Sequence, residues 1–469
     1  MTLLKSIHKF KEIFWLPLVL IHLVLLVNTK FTLWPEIVVY PYLANHGFLL
    51  YRDIINPYTP AFLIFLNLFA KVFGYLPLPY QIFSWVIIVF CDISIFIVAL
   101  KISKNYYNAA LATLFFVLFS VSFGINTLWF DLVQTPFLIF SFYYFYKYLT
   151  FKKVSDLQIS FCLSIVVFFI KQQVIWLVIF YLASLIVREK TKLFKIVKKL
   201  FLPFALFCFL LLLQIVYLYK LGTLGDFIFW TIYEPFVKSS SLPGYVLLPT
   251  IKQILIILTP VVIASSVAIY SRAKNLTLVT LPLPFILFAY PRFDYFHLIS
   301  YLAVTSILIG TNFKMIKNSQ RKMLIFPVAL TILLAVFAIH FIKSNWHKPV
   351  RFFERDIFQA ATFLEAVTPK NVPIYIQNGP DQLYPLSGRL PVKPWIDEFP
   401  WYLEVPGQQQ KVVSSLKSQS PTFLVFKPYD QKDKYGLGSY RPTLIANYLD
   451  ENYQNLIQIN SSLWLKIKK

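Results

Sequence analysis

The chain has 469 residues, of which 58% are hydrophobic and only 14% charged, with a mean hydropathy of +0.64. Soluble domains carry close to a quarter charged residues, so this surface cannot be covered by water and must be covered by lipid. The net charge of +23 does not point to nucleic acid, because the basic residues form short clusters between apolar runs and no groove-entering motif accompanies them.

Apolar runs that approach the ~20 residues a bilayer requires lie at 13–30, 80–100, 106–124, 129–149, 157–170, 173–187, 200–221, 247–271, 277–290, 296–312 and 323–342. The first follows Lys5, Lys9 and Lys11 and has no small-residue cleavage site after it, so it reads as an uncleaved span rather than a signal peptide. The run 59–75 is shorter, carries Lys71 and is bracketed by Pro57, Pro60 and Pro77. If it lies at the interface, one face of the membrane collects Lys5/Lys9/Lys11, Lys101/Lys104, Lys147/Lys152/Lys153, Arg188 to Lys199, Arg272/Lys274 and Lys314 to Lys322. The loops between spans on the other face hold only scattered bases, Lys30, Arg52, Lys171, Lys238 and Arg292. The positive-inside rule therefore predicts eleven spans, an amphipathic juxtamembrane segment at 59–75, a cytoplasmic N-terminus and an extracytoplasmic C-terminus.

Cys91, Cys162 and Cys208 lie inside apolar runs and offer neither a CxxC pair nor metal-ligand spacing, which makes them small buried hydrophobes. After about residue 345 compact apolar runs at 374–376, 423–426 and 463–465 alternate with helical stretches at 406–418 and 441–451. The predicted organisation is a transmembrane domain over 1–344, with a first outer loop at 31–79, and a small α/β outer domain over 345–469.

Acidic residues are scarce, and Glu36, Asp53, Asp131, Asp226, Glu234 and Asp294 all fall on the predicted outer face, joined by Lys171, Arg292 and His297. Polar groups near the bilayer are costly and mark function by default. Glu36, in Trp34-Pro35-Glu36, reads either as a general base with raised proton affinity or as an acid favoured at a helix N-terminus. Arg52-Asp53 reads as a surface pair or a substrate contact, and Asp131 as a helix cap or a catalytic acid. The aromatic loop 222–246, with Trp230, Tyr233, Glu234, Pro235 and Lys238, suits covering a sugar or bracing the outer domain. Asp92 sits mid-span, where it would bond a neighbouring span or a hydroxyl such as Ser94, or couple protons in a transporter.

The order of these elements carries a resemblance. A first span, an outer loop with Pro35-Glu36 and Gly47-Phe48-Leu49-Leu50-Tyr51-Arg52-Asp53, a proline-flanked interfacial helix ending in Phe73-Gly74, and a C-terminal outer domain with Asn452-Tyr453 and Trp464 resemble the polytopic GT-C glycosyltransferases. The pattern is similar to the bacterial and archaeal relatives of protein O-mannosyltransferases (family 39-like). That resemblance implies a catalytic carboxylate in the first outer loop, matched by Glu36, and a second acid after the third span, matched by Asp131. The family often shows an adjacent acidic pair in that loop, which this chain lacks. It further implies that Lys171-Gln172 and the Arg292, Asp294 and His297 segment meet a lipid-linked phosphate, with Arg52 and Asp53 near the substrate.

The expected activity is an inverting hexosyl transfer from a polyprenyl-phosphate sugar to an acceptor hydroxyl of a glycan, lipid or protein at the outer face of the plasma or inner membrane. A phosphate leaves without a strong acid, so one carboxylate to deprotonate the acceptor suffices. These residues leave metal dependence open and name no certain cofactor, with Glu36, Asp131 and His297 as candidate ligands for a divalent ion such as Mg or Mn. The alternatives are a secondary transporter, disfavoured by the lack of repeats and by only 12 glycines for broken helices, and a polysaccharide polymerase or ligase, which would place its main outer loop later.

Overall fold

A computed structural model of the chain describes residues 15–189, 196, 198–237, 242, 245–270, 280–313, 325–397, 399–429 and 440–469. Several of the basic clusters used above (Lys5 to Lys11, Lys190 to Lys195, Lys238, Arg272/Lys274 and Lys314 to Lys322) lie outside the described residues. In chain order the principal helices are α1 (Leu16–Asn28), α2 (Glu36–Asn45), α3 (Ala61–Phe73), α4 (Pro77–Ser103), α5 (Tyr106–Ser120), α6 (Phe130–Phe151), α7 (Val154–Phe168), α8 (Ile175–Glu189), α9 (Phe201–Lys220), α10 (Ile251–Tyr270), α11 (Ile299–Phe313), α12 (Ile325–Asn345), α13 (Arg355–Val367), α14 (Gln408–Gln419) and α15 (Thr443–Asn452).

Six helical segments among the described residues are long and apolar enough to cross a membrane: Pro77–Ser103, Tyr106–Phe123, Phe201–Lys220, Ile251–Tyr270, Tyr295–Phe313 and Ile325–Asn345. Leu16–Asn28, Val154–Phe168 and Gln172–Arg188 are shorter apolar helices. The chain is a helical, multi-pass membrane protein. The run expected to cross at 277–290 does not form an α-helix where it is described: Leu283–Ala289 is a 3-10 helix. Pro282, Pro284 and Pro291 remove amide donors there, and seven residues at about 2 Å each reach only about half of a ~30 Å hydrocarbon core. Of the three cysteines, Cys91 is buried as expected, whereas Cys162 is half-buried and Cys208 exposed.

The contacts divide the chain into two compact units. One comprises the chain up to Phe31, Gln81–Leu210 and Leu248–Lys348. Its centre is α11, buried at every residue from Ile299 to Gly310 and packed on α5, α6 and α10. Gly310 permits the closest of these approaches: a Cβ there would stand 2.4 Å from the Asn108 carbonyl and 2.6 Å from the Ala112 Cβ. Polar groups inside this unit are partnered across helices. Asp92 accepts from His22 Nδ1 at 2.8 Å, and His22 Nε2 lies 3.1 Å from the Ser120 hydroxyl, all three residues being inaccessible. The mid-span acid thus bonds α1 and not Ser94, whose hydroxyl donates to the Phe90 carbonyl.

The other unit comprises Thr32–Tyr80, Leu211–Leu247 and Pro349–Lys469, so the first loop and the C-terminal segment share one core. In α3 the residues Phe62, Leu63, Leu66 and Ala70 are buried, while Phe65, Leu68, Val72 and Phe73 remain exposed. A 13-residue helix spans only about 20 Å, so this second apolar face suits the membrane interface rather than a crossing. The C-terminal segment supplies a sheet of β1 (Ile374–Gln377), β2 (Phe423–Phe426), β3 (Tyr453–Gln458) and β4 (Trp464–Lys468), in the order β1-β2-β4-β3. β1 and β2 run parallel with Ile374 opposite Phe423, and the other two pairings are antiparallel. The fully buried Arg389 is satisfied by the carbonyls of Glu365, Thr368 and Ser387, closing the end of α13 beneath the sheet.

Candidate active site

The second unit contains a buried acidic centre built around α2. Pro35 opens this helix and places Glu36 in its first turn. Tyr40, one turn further on, shares its face. The Tyr40 hydroxyl donates to Asp397 Oδ2 at 2.5 Å, and the Tyr40 ring meets Trp395 edge-on at 5.9 Å between centroids. Asp397, on the coil between β1 and β2, is 4% exposed, and Tyr402 beside it 5% exposed.

Glu36 is half-buried, and its Oε2 is enclosed with no hydrogen-bond partner. Burial pushes its carboxyl up to about 7, against a smaller lowering by its own backbone amide. Burial and then the charges of Asp381 and Glu36 hold Asp397 well above the usual carboxylate range, with the Tyr40 hydroxyl acting in the opposite sense. Two carboxyls that disfavour each other's ionisation, one titrating near neutrality, make a proton acceptor poised at working pH.

The surroundings hold α2 in place. The Tyr42 hydroxyl donates to the Arg389 carbonyl at 3.1 Å, and the Trp395 amide to the Asp53 carbonyl at 3.1 Å. Asp53 is buried, accepts from the Leu49 amide at 2.8 Å and pairs with Lys393 at 3.1 Å, so its carboxylate fastens the loop. Arg52 is exposed and pairs with Asp226 at 3.2 Å while also donating to the Gly222 carbonyl. Trp230 packs edge-on against Tyr402 at 5.7 Å, which gives the 222–246 loop a bracing contact on the C-terminal segment.

The first unit contains a separate charged cluster at the start of α6. Asp131 is fully buried, and its Oδ2 accepts from Lys171 Nζ at 2.6 Å and from His297 Nδ1 at 2.8 Å, while Oδ1 accepts from Gln134 at 3.1 Å. Lys171, on the turn before the short 3-10 helix Gln172–Val174, is itself inaccessible. His297 lies in the 3-10 helix Tyr295–Leu298 that leads into α11, and Asp294 precedes it as an extended residue. The His297 Nδ1 is turned to Asp131, and the side chain as a whole is 10% exposed. Arg292 and Asp294 are half-buried beside it in sequence. An ammonium 2.6 Å from Asp131 is opposite in character to a metal ligand set, and among the described residues no three His, Cys, Asp or Glu side chains come together to hold a metal ion.

Sequence reasoning located Glu36 but missed Asp397, Asp381, Tyr40 and Tyr402. The available signal was a group of three acids, Asp397, Glu398 and Glu404, in the largely apolar, proline-punctuated run Val392 to Val405. A second carboxyl, absent beside Glu36 in the Trp34-Pro35-Glu36 motif, stands within electrostatic reach from 361 positions along the chain, at Asp397.

No family model and no curated protein sequence matches the chain. Solved structures do. ArnT from Cupriavidus metallidurans in the apo state superposes with a TM-score of 0.62 at 12% identity, covering 98% of both chains. The same protein bound to undecaprenyl phosphate gives 0.59 at 11% identity, again over 98% of each. The Archaeoglobus fulgidus oligosaccharyltransferase, tethered with an acceptor peptide containing the NVT sequon, gives 0.54 at 10% identity over 95% of this chain and 73% of that one. At such identities the likeness establishes architecture alone: the chain shares the polytopic fold of ArnT and of the oligosaccharyltransferase.

Proposed function

We propose that this protein is an inverting glycosyltransferase that moves a sugar from a polyprenyl-phosphate donor to an acceptor hydroxyl at the outer face of the plasma or inner membrane, with Glu36 as the general base. The observation that carries the proposal is the Glu36 carboxyl: enclosed, lacking a partner at Oε2, and titrating at about 7 beside Asp397. In the proposed step Glu36 takes the acceptor proton as the acceptor oxygen attacks the anomeric carbon. The bond to phosphate breaks, and the polyprenyl phosphate departs as an anion that needs no protonation.

The structural neighbours support this reading, one having been solved tethered with an acceptor peptide and another bound to undecaprenyl phosphate. Arg52, with an exposed guanidinium, is assigned to the donor phosphate. Arg292, Gln172 and His297 are assigned substrate contacts, with Asp131 and Lys171 orienting the imidazole. Asp53 and Asp294 are assigned to holding the two loops that carry these groups. Glu36→Gln tests the proposal: transfer from undecaprenyl-phosphate sugars to membrane acceptors should cease while expression and insertion persist. Normal transfer by that variant removes Glu36 as the base.

A further inference from the structure

Between α7 and α9 in the first unit runs an apolar groove of about 320 Å³. Its floor is one stripe of α7, with Ser155, Ile159, Cys162 and Val166 at helical spacing, and its wall includes Leu202. From residue 155 to 166 the stripe is about 16 Å long, the scale of a hydrocarbon chain segment.

One end of the groove is strongly basic. Lys152 and Lys153 immediately precede α7, and Lys198 and Lys199 precede α9. Gln158, which lines the groove, donates to the Lys199 carbonyl at 3.2 Å and so ties the two basic segments to its mouth. Lys152 and Lys199 stand 5.3 and 5.6 Å from the same Tyr148 ring, and Lys199 donates to its hydroxyl at 2.9 Å. Lys153 and Lys198 are exposed. The acid nearby, Asp156, is 5% exposed and already paired with Lys147 at 2.8 Å.

We infer that this groove binds an anionic glycerophospholipid, one acyl chain lying along α7 and the phosphodiester held by Lys153 and Lys198. A zwitterionic lipid presents the same phosphodiester, but its ammonium cation, repelled by the lysines at the mouth, cancels that attraction and leaves the apolar contact as its net gain. Each lysine near an anionic headgroup favours it by about fivefold, so two give a preference of about 30-fold.

Cys162 reports on occupancy because it lines the groove. In the full-length protein carrying Cys91→Ala and Cys208→Ala, alkylation by N-ethylmaleimide in detergent is followed by mass spectrometry during titration with phosphatidylglycerol, phosphatidylcholine or undecaprenyl phosphate. Phosphatidylglycerol should protect Cys162 at about one-thirtieth of the phosphatidylcholine concentration. Lys153→Gln with Lys198→Gln should erase that difference and leave phosphatidylcholine protection unchanged. Equal protection by both phospholipids, absence of protection, or protection by undecaprenyl phosphate at lower concentration than phosphatidylglycerol would each overturn the inference. If the cysteine-depleted protein does not express, native mass spectrometry of the parent and the double lysine variant decides it: equal retention of phosphatidylglycerol by the two is the overturning result.

Discussion

Replacing Glu36 by glutamine should separate catalysis from stability, and the structure sets both magnitudes. Moving the carboxyl from its ordinary 4.5 to about 7 corresponds to at most about 3 kcal/mol of disfavoured ionisation, since the residue is only half-buried. The folded protein therefore holds the Glu36 proton more tightly than the unfolded chain does. The contribution of this group to stability is greatest below pH 4.5, declines as the pH rises to about 7, and stays at the lower level above that. Glu36→Gln, neutral and of equal size, should thus melt higher than the parent at pH 8 and alike at pH 4.5. Transfer behaves oppositely. The ionised fraction of a group titrating at about 7 climbs from about one-tenth at pH 6 to about nine-tenths at pH 8, so kcat/KM should rise about tenfold across that range. The assay is release of undecaprenyl phosphate from a panel of its sugar conjugates by detergent-solubilised protein with membranes as acceptor. A kcat/KM that is flat from pH 6 to 8, or a glutamine variant retaining more than about one-tenth of the parent rate, refutes the reasoning, because a positioned base contributes about a hundredfold or more.

Tyr40→Phe removes the donor to the buried Asp397 and should cost about 1–3 kcal/mol, read as a lower melting temperature. Lys171→Met strands Asp131 as a buried charge and should cost about 3–5 kcal/mol, whereas Lys171→Met combined with Asp131→Leu should regain most of it in the same melting assay. Asp92→Asn keeps an acceptor for His22 and should leave sugar transfer unchanged, where a proton-coupled transporter would be disabled; flux and transfer measured on the same vesicles decide this. Single cysteines at positions 104 and 294 should differ in labelling by an impermeant maleimide on intact cells, 294 reacting directly and 104 only after permeabilisation, as the charge asymmetry of the loops requires.

Much of the architecture was legible in the chain because lipid imposes a simple rule: backbone polar groups must be paired internally, so long apolar runs become helices. The apolar runs at 80–100, 200–221, 247–271 and 323–342 reappear as α4, α9, α10 and α12. The run at 277–290 was misread because hydropathy ignores what three prolines do to hydrogen bonding. The same blindness applied to polar residues. Hydropathy flagged Asp92, Asp131 and Lys171 as costly, yet could not supply the partners that make their burial tolerable.

By itself, the sequence determined that this is a multi-pass membrane chain with a mixed α/β C-terminal segment, and it singled out Glu36 as an acid without a local counter-charge. Only the tertiary structure decided that Tyr40 and Asp397 stand within electrostatic reach of that acid, that Asp131 is locked between Lys171 and His297, and that Asp53 fastens a loop. The physical reason is the range of the two effects. Partition into lipid is set by composition summed over some twenty neighbouring residues, whereas a proton affinity is set by the few atoms that exclude water from one carboxyl, and those atoms come from segments hundreds of positions apart.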